Sequence, residues 1–88
     1  MSIKLQQLMH FVMVVEEGGF RAASHRANRS QAALSTSIKE LEKILGQTLF
    51  EPGNKTKLTP FGEICLPKVV QFLNIYSCLL YTSPSPRD

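Results

Sequence analysis

The segment from Arg29 to Glu40, RSQAALSTSIKE, carries an unusual group of short side chains. Leu34, Ile38 and Leu41 keep the spacing of an apolar helical stripe. The other face is small, mostly polar and uncharged: Gln31, Ala32, Ser35 and Thr36. Two interpretations are open at this stage. Either the face is a merely exposed end of a helix with no binding role, or its side chains are short so that the helix can approach a partner closely.

The distribution of charge says more about a partner than the total charge does. The chain carries ten Lys and Arg against seven Asp and Glu, a formal charge of +3. No acidic residue lies between positions 21 and 39, where the basic residues are Arg21, Arg26, Arg29 and Lys39, with His25. Charge alone is consistent with a solvated helical face and with an anion-binding surface.

The remaining reactive side chains form no catalytic or metal-binding pattern. The two cysteines, Cys65 and Cys78, do not make a disulfide framework, and with His10 and His25 they have no zinc-like spacing. We therefore expect no enzyme activity, no metal and no cofactor, and we expect His10 and Cys65 to be packed structurally. No stretch is long enough to span a bilayer, so we expect no membrane partner and a cytoplasmic protein.

Hydrophobic spacing predicts three helices in the first half of the chain. The first has an apolar stripe every third or fourth residue and ends at Gly18-Gly19; the stripe is Leu5, Leu8, Val12 and Val15. A short second helix spans residues 20–27. Ser30 is well placed as the N-cap of a third helix, which ends at Gly46.

A β-hairpin and a fourth helix are predicted to follow. Turn residues 52–54 separate the apolar run 48–51 from the alternating run 55–58, which indicates a hairpin with a basic tip. Thr59-Pro60 begins a helix that fits as far as Tyr76, with Pro67 kinking it or accommodated locally. The predicted fold class is mainly α: a winged helix-turn-helix, with a three-helix core plus a β-hairpin wing, followed by a linker helix.

Four motifs between Leu5 and Leu73 follow one another at a specific spacing. They are GGFRAA at the start of the second helix, RSQAALS opening the third, and LEKILGQTLFE and LTPFGE on either side of the wing. In this order they resemble the N-terminal domain of LysR-type transcriptional regulators. The resemblance implies a bacterial protein whose third helix lies in the major groove of double-stranded DNA and whose wing touches the flanking backbone.

The resemblance assigns roles to particular residues. A helix enters the major groove only if its face does not hold the backbone away from the bases, which the short side chains allow. The candidate base contacts are Gln31, Ala32, Ser35, Thr36 and Lys39. The candidate phosphate contacts are Arg29, Ser30, Lys55 and Lys57, whereas Arg21 and Arg26 are equally consistent with solvated helix residues.

The chain departs from the family pattern at two places. Pro52 stands where an arginine often follows the Phe-Glu pair of the wing, so Lys55 and Lys57 are the candidates to replace that phosphate contact. Thr36 and Ser37 stand where relatives often carry a longer side chain, Arg or Gln. Gln31, which can pair with an adenine edge through two hydrogen bonds, is therefore the chief candidate for sequence discrimination.

The resemblance also implies partners for the rest of a longer protein. It implies a homodimer formed through the fourth helix, for which the candidate residues are Phe61, Cys65, Val69 and Phe72. It implies a small-molecule effector that binds a larger C-terminal domain, missing here. The alternative function is a winged-helix protein-interaction or dimerisation module that does not bind DNA.

The end of the chain changes character abruptly. Residues 78–88, CLLYTSPSPRD, resemble the translation, in one reading frame, of a transposase adapter used to prepare DNA sequencing libraries. We therefore expect three segments: a winged helix-turn-helix over residues 1–59, the start of a linker and dimerisation helix over 60–77, and a non-native tail over 78–88. On this interpretation the natural protein continues beyond Ser77. A natural disordered tail is the alternative.

Overall fold

The computed structural model describes residues 2–82, and of Lys55 and residues 80–82 it describes the backbone alone. Six elements follow one another along the chain. They are α1 (Leu5–Glu17), α2 (Phe20–Ala27), α3 (Gln31–Leu45), β1 (Phe50–Glu51), β2 (Asn54–Leu58) and α4 (Pro60–Thr82). This order confirms the predicted class, mainly α with a three-helix core and a β-hairpin wing. Helix α4 runs through Pro67 and continues into residues 78–82.

Local chemistry sets the ends of the helices. The side chain of Ser30 accepts a hydrogen bond from the Ala33 N–H at 3.0 Å and so caps α3, as predicted. Gly46 ends α3 with a φ of 79°, a left-handed conformation that favours glycine. Asn28 adopts a φ of 57° in the turn between α2 and α3, and asparagine tolerates this conformation better than most residues.

The core lies between the first three helices and the start of the wing. Its buried apolar side chains are Phe11, Val12, Val14, Ala23, Leu34, Ile38, Leu41, Leu49 and Phe50. Phe50 makes edge contacts with the rings of Phe11 and Phe20, at centroid distances of 5.6 and 5.9 Å. These contacts fix the first strand of the wing against α1 and α2.

The buried face of α1 is wider than the predicted stripe. Leu8 and Val15 are only half-buried, whereas the polar side chains of Gln7 and His10 are buried. The physical reason is that α1 packs against α2, α3 and α4 at once, so several sides of the helix are covered.

The hairpin is shorter than the sequence predicts, because side chains use the backbone groups that precede it. The Glu42 carboxylate accepts the N–H of Leu49 at 2.7 Å and that of Phe50 at 3.4 Å. The hydroxyl of Thr59 donates to the carbonyl of Thr48 at 2.7 Å. Pairing therefore begins at Phe50, opposite Leu58, and ends at Glu51, opposite Asn54.

Candidate nucleic-acid interface

The outward side of α3 carries the short side chains singled out in the sequence. Leu34 and Ile38 are buried and hold the opposite side of the helix against the core. Four of the predicted base-contacting residues lie in its first two turns. Gln31, Ala32 and Thr36 are exposed, and Ser35 is half-buried. A shallow depression beside Phe20 joins Gln31, Ala32 and Ser35 into one surface. The structure therefore places these residues together.

This surface continues towards the wing. A groove runs from Ser35 and Lys39 on α3 to Glu51 and Pro52 at the hairpin. Lys39 is exposed, one turn beyond Ser35. The outward side of α3 and the start of the hairpin thus border this groove, and we call them the α3–wing face (the outward side of residues 31–39, with residues 51 and 52).

The predicted phosphate contacts lie around this face. Arg29 and Ser30 are exposed immediately before α3, and Lys57 is exposed on β2. The side chain of Lys55 lies outside the part of the chain that the structure describes. Ser30 uses its oxygen as an acceptor for Ala33, so its hydroxyl hydrogen remains available to donate to an anion.

Two of the basic residues of the acid-free run are held in different ways. Arg26 forms ion pairs with Glu16 at 2.7 Å and with Glu17 at 3.1 Å, at the end of α1. The hydrogen bond that Arg26 donates to Glu16 is the main cause that raises the pKa of Arg26, and the two carboxylates offset its charge. Arg29 instead meets a neutral partner, the side-chain oxygen of Gln6. Arg29 therefore keeps its positive charge for another ligand.

His10 is buried between α1 and α3. Its Nδ1 lies 2.9 Å from the hydroxyl of Ser37, and its exposed fraction is 5%. Burial lowers its pKa below the usual 6.5, and the positive charge of Arg29 lowers it further. The imidazole is therefore neutral at pH 7 and joins α1 to the helix that carries the α3–wing face.

The structure divides the four predicted dimerisation residues. Phe61, Cys65 and Val69 are half-buried against the core of their own domain. Burial is also the main cause that raises the pKa of the Cys65 thiol, which keeps it protonated. Phe72 is the member of the set that is exposed, at 48%. Other exposed apolar side chains on α4 are Ile64, Ile75, Tyr76 and Leu79.

We also searched the described residues for a metal site and for a membrane-spanning helix. Within residues 2–82, no three His, Cys, Asp or Glu side chains come together as a metal ion would require. Over the same residues, no helix combines the length and the apolar character that crossing a membrane requires.

Comparison with known proteins decides the family. A model of the family described as "Bacterial regulatory helix-turn-helix protein, lysR family" matches residues 5–63. The chain belongs to the LysR family. This confirms the resemblance drawn from the four motifs. Because the members of this family are regulatory proteins, it also confirms the prediction that the chain is not an enzyme.

Curated relatives of this LysR-family chain include two bacterial proteins. An SDS degradation transcriptional activation protein from a Pseudomonas species is 41% identical over 71 residues, which cover 80% of this chain and 23% of the relative. The regulator TfdT of Cupriavidus pinatubonensis is 38% identical over 72 residues, which cover 81% and 32%. The chain thus spans about a quarter to a third of the length of these relatives.

Solved structures confirm the winged helix-turn-helix fold. The structure of the BenM DNA-binding domain in complex with catB site 1 DNA superposes with a TM-score of 0.86 at 32% identity, covering 91% of this chain and 87% of that one. Full-length BenM superposes with a TM-score of 0.88 at 30% identity, covering 97% and 28%. Vibrio fischeri DarR in complex with DNA superposes with a TM-score of 0.84 at 25% identity, covering 91% and 28%.

Sequence reasoning missed Gln6 and the polar contacts of α1. Gln6 was not singled out because a lone exposed glutamine carries no signal of its own. The useful signal is its spacing of four residues from His10, which places both side chains on one side of α1. That side meets Arg29 and Ser37.

Proposed function

We propose that this LysR-family chain is the part of a bacterial transcriptional regulator that binds double-stranded DNA with sequence preference. The observation that carries the proposal is the outward side of α3, where short side chains at Gln31, Ala32, Ser35 and Thr36 leave the helix backbone accessible. A helix inserted into the major groove needs such a face, because long side chains would hold it away from the base edges.

Each residue on this face has a definite chemical role in the proposal. The amide of Gln31 pairs with the N6 and N7 atoms of an adenine, and Ala32 meets a thymine methyl group. The hydroxyls of Ser35 and Thr36 and the ammonium of Lys39 reach a base edge or a phosphate. A bidentate pair of the Gln31 kind discriminates against a wrong base by about 1–3 kcal/mol.

Basic and hydroxyl groups around the face supply affinity and register. Arg29, Ser30, Lys55 and Lys57 are assigned to phosphate oxygens on the two sides of α3. These contacts are independent of sequence and release counterions, so they make binding depend on salt. The proposal is supported by the related BenM and DarR structures, both of which are complexes with DNA.

The proposal includes a homodimer formed through α4. Ile64 and Ile75, eleven residues apart, are exposed on one side of this helix. The exposed Phe72 is eleven residues from Phe61 and seven from Cys65, so it shares the side of these half-buried residues. Among the four candidate residues predicted from the sequence, Phe72 is the one assigned directly to the partner, and the other three support it from the domain side. On this proposal residues 1–59 form the DNA-binding unit and residues 60–77 begin the dimerisation helix.

An effector site is assigned outside the chain. We infer that a small-molecule effector binds a larger domain of the kind implied by the family resemblance, since the relatives are three to four times longer than the segment they share with this chain. The 88 residues would then bind DNA without responding to the effector.

Titration of fluorescently labelled random duplex DNA at two salt concentrations tests the proposed function. DNA binding that weakens steeply between about 50 and 200 mM salt is expected, because phosphate contacts release counterions. Absent or salt-insensitive binding would overturn the proposal and favour a protein-interaction module.

A further inference from the structure

The side chain of Arg29, in the turn before α3, is hydrogen-bonded by a residue of α1. The side-chain oxygen of Gln6, in the amide orientation that satisfies both groups, accepts hydrogen bonds from Arg29 Nε at 3.2 Å and from Nη2 at 2.5 Å. Gln6 lies in the first turn of α1, whereas Arg29 precedes α3. Both side chains are exposed, so a ligand in solution can reach the guanidinium while it is held.

The backbone of Arg29 is fixed independently. Its N–H donates to the carbonyl of Ser24 at 3.0 Å, and the neighbouring Asn28 holds the left-handed conformation that ends α2. On the other side, Ser30 caps α3. With the main chain set by these contacts, the remaining freedom of Arg29 lies in its side chain, and Gln6 restricts that freedom.

The contact leaves the guanidinium able to bind an anion. A guanidinium has five N–H donors, and Gln6 uses one on Nε and one on Nη2. The edge formed by Nη1 and Nη2 is left, and such an edge matches two phosphate oxygens in a bidentate contact. Gln6 is also uncharged, whereas the carboxylates of Glu16 and Glu17 offset the charge of Arg26. Gln6 therefore orients a cation without neutralising it.

We propose that Gln6 is a positioning residue for DNA binding, which holds the guanidinium of Arg29 ready for a backbone phosphate beside the first turn of α3. The inference rests on the proposed function. Its energetic basis is that an immobilised long side chain loses rotamer entropy when a complex forms, and Gln6 removes part of that loss in advance. The gain corresponds to about a two- to tenfold increase in affinity.

A double-mutant cycle on the full 88-residue chain tests this role, with fluorescently labelled random duplex DNA as the probe. Gln6→Ala should weaken binding about two- to tenfold, Arg29→Ala should weaken it further, and Gln6→Ala should have no effect in the Arg29→Ala background. The matched control is Gln47→Ala, an exposed glutamine beyond the far end of α3, which should bind as the wild type does. Thermal unfolding of Gln6→Ala should stay within a few degrees of the wild type, because both side chains are exposed.

Two results would overturn the inference while leaving the proposed function intact. One is an equal loss from Gln6→Ala with and without Arg29, which would mean that Gln6 acts independently. The other is full affinity of Gln6→Ala. A wild-type chain that does not bind the duplex at all would instead overturn the proposed function, and the inference with it.

Discussion

Gly62, in the first turn of α4, lies directly against the backbone carbonyl of Leu49, at the entrance to the wing. A Cβ at this glycine would come closer to the Leu49 oxygen than real atoms approach, and it would also crowd the side chain of Leu58. The N–H of Gly62 donates to the Thr59 hydroxyl at 3.0 Å, which in turn donates to the carbonyl of Thr48. This close approach joins the linker helix to the base of the wing.

Gly62→Ala should therefore destabilise the domain by about 1–3 kcal/mol, as overpacking in a tight site does. Urea unfolding measures the change. Gly53→Ala is the matched control, because a Cβ there meets no atom within 4 Å, and its effect should stay within about 0.5 kcal/mol. Equal stability of the two variants would show that the backbone at Gly62 gives way easily.

The buried His10 should make stability depend on pH. Its folded pKa lies below 6.5, so the unfolded chain binds a proton first as the pH falls. The stability contributed by neutral His10 is therefore full above about pH 6.5 and is lost as the pH falls towards the folded pKa. Urea unfolding at about pH 7.5 and pH 5.5 should show a larger loss in the wild type than in His10→Asn. Parallel losses in the two proteins would contradict this assignment.

The wing should contribute to the salt dependence of DNA binding. Lys57→Ala should lower affinity for all duplexes and reduce the slope of log affinity against log salt by about one, because one phosphate contact releases about one counterion. Lys68→Ala removes the same charge from an exposed position on α4, an element outside the α3–wing face, and should leave the slope unchanged. Identical slopes for the two variants would show that Lys57 does not contact a DNA phosphate.

The exposed side of α4 should govern dimerisation. Phe72→Glu should raise the dimer dissociation constant at least about tenfold, because a charge replaces apolar area that is buried twice in a symmetric contact. Asn74→Glu adds the same charge to an exposed position two residues further along α4, where the helix faces another way, and should dimerise as the wild type does. Sedimentation equilibrium measures both constants. A dimer unaffected by Phe72→Glu would place the contact elsewhere.

Much of the fold was predictable because its signals are local. Ser30, Gly46 and Thr59 act within a few residues of their own positions, so capping and turn chemistry correctly located both ends of α3 and the start of α4. The burial of Gln7 was not predictable, because it depends on α1 being covered from several sides by elements distant in sequence.

The same distinction applies to the candidate site. Helical spacing identified the face that carries Gln31 and Ser35, since that face repeats with the period of α3. Spacing grouped the half-buried Val69 with the exposed Phe72, because it indicates which residues share a side of α4 and not how much of that side the domain covers. The contact of Gln6 with Arg29 joins α1 to the turn before α3, so the spacing within α1 alone does not predict it.

Base discrimination by Gln31 is the most direct test of the central claim that the short-sided face of α3 recognises DNA sequence. A duplex enriched from a randomised library by the wild-type chain would be compared with random duplex, for the wild type, Gln31→Ala and the control Gln47→Ala. We predict that Gln31→Ala lowers the preference for the enriched duplex by about five- to a hundredfold while affinity for random duplex is largely kept. Equal losses on both duplexes would contradict the claim that Gln31 contacts a base.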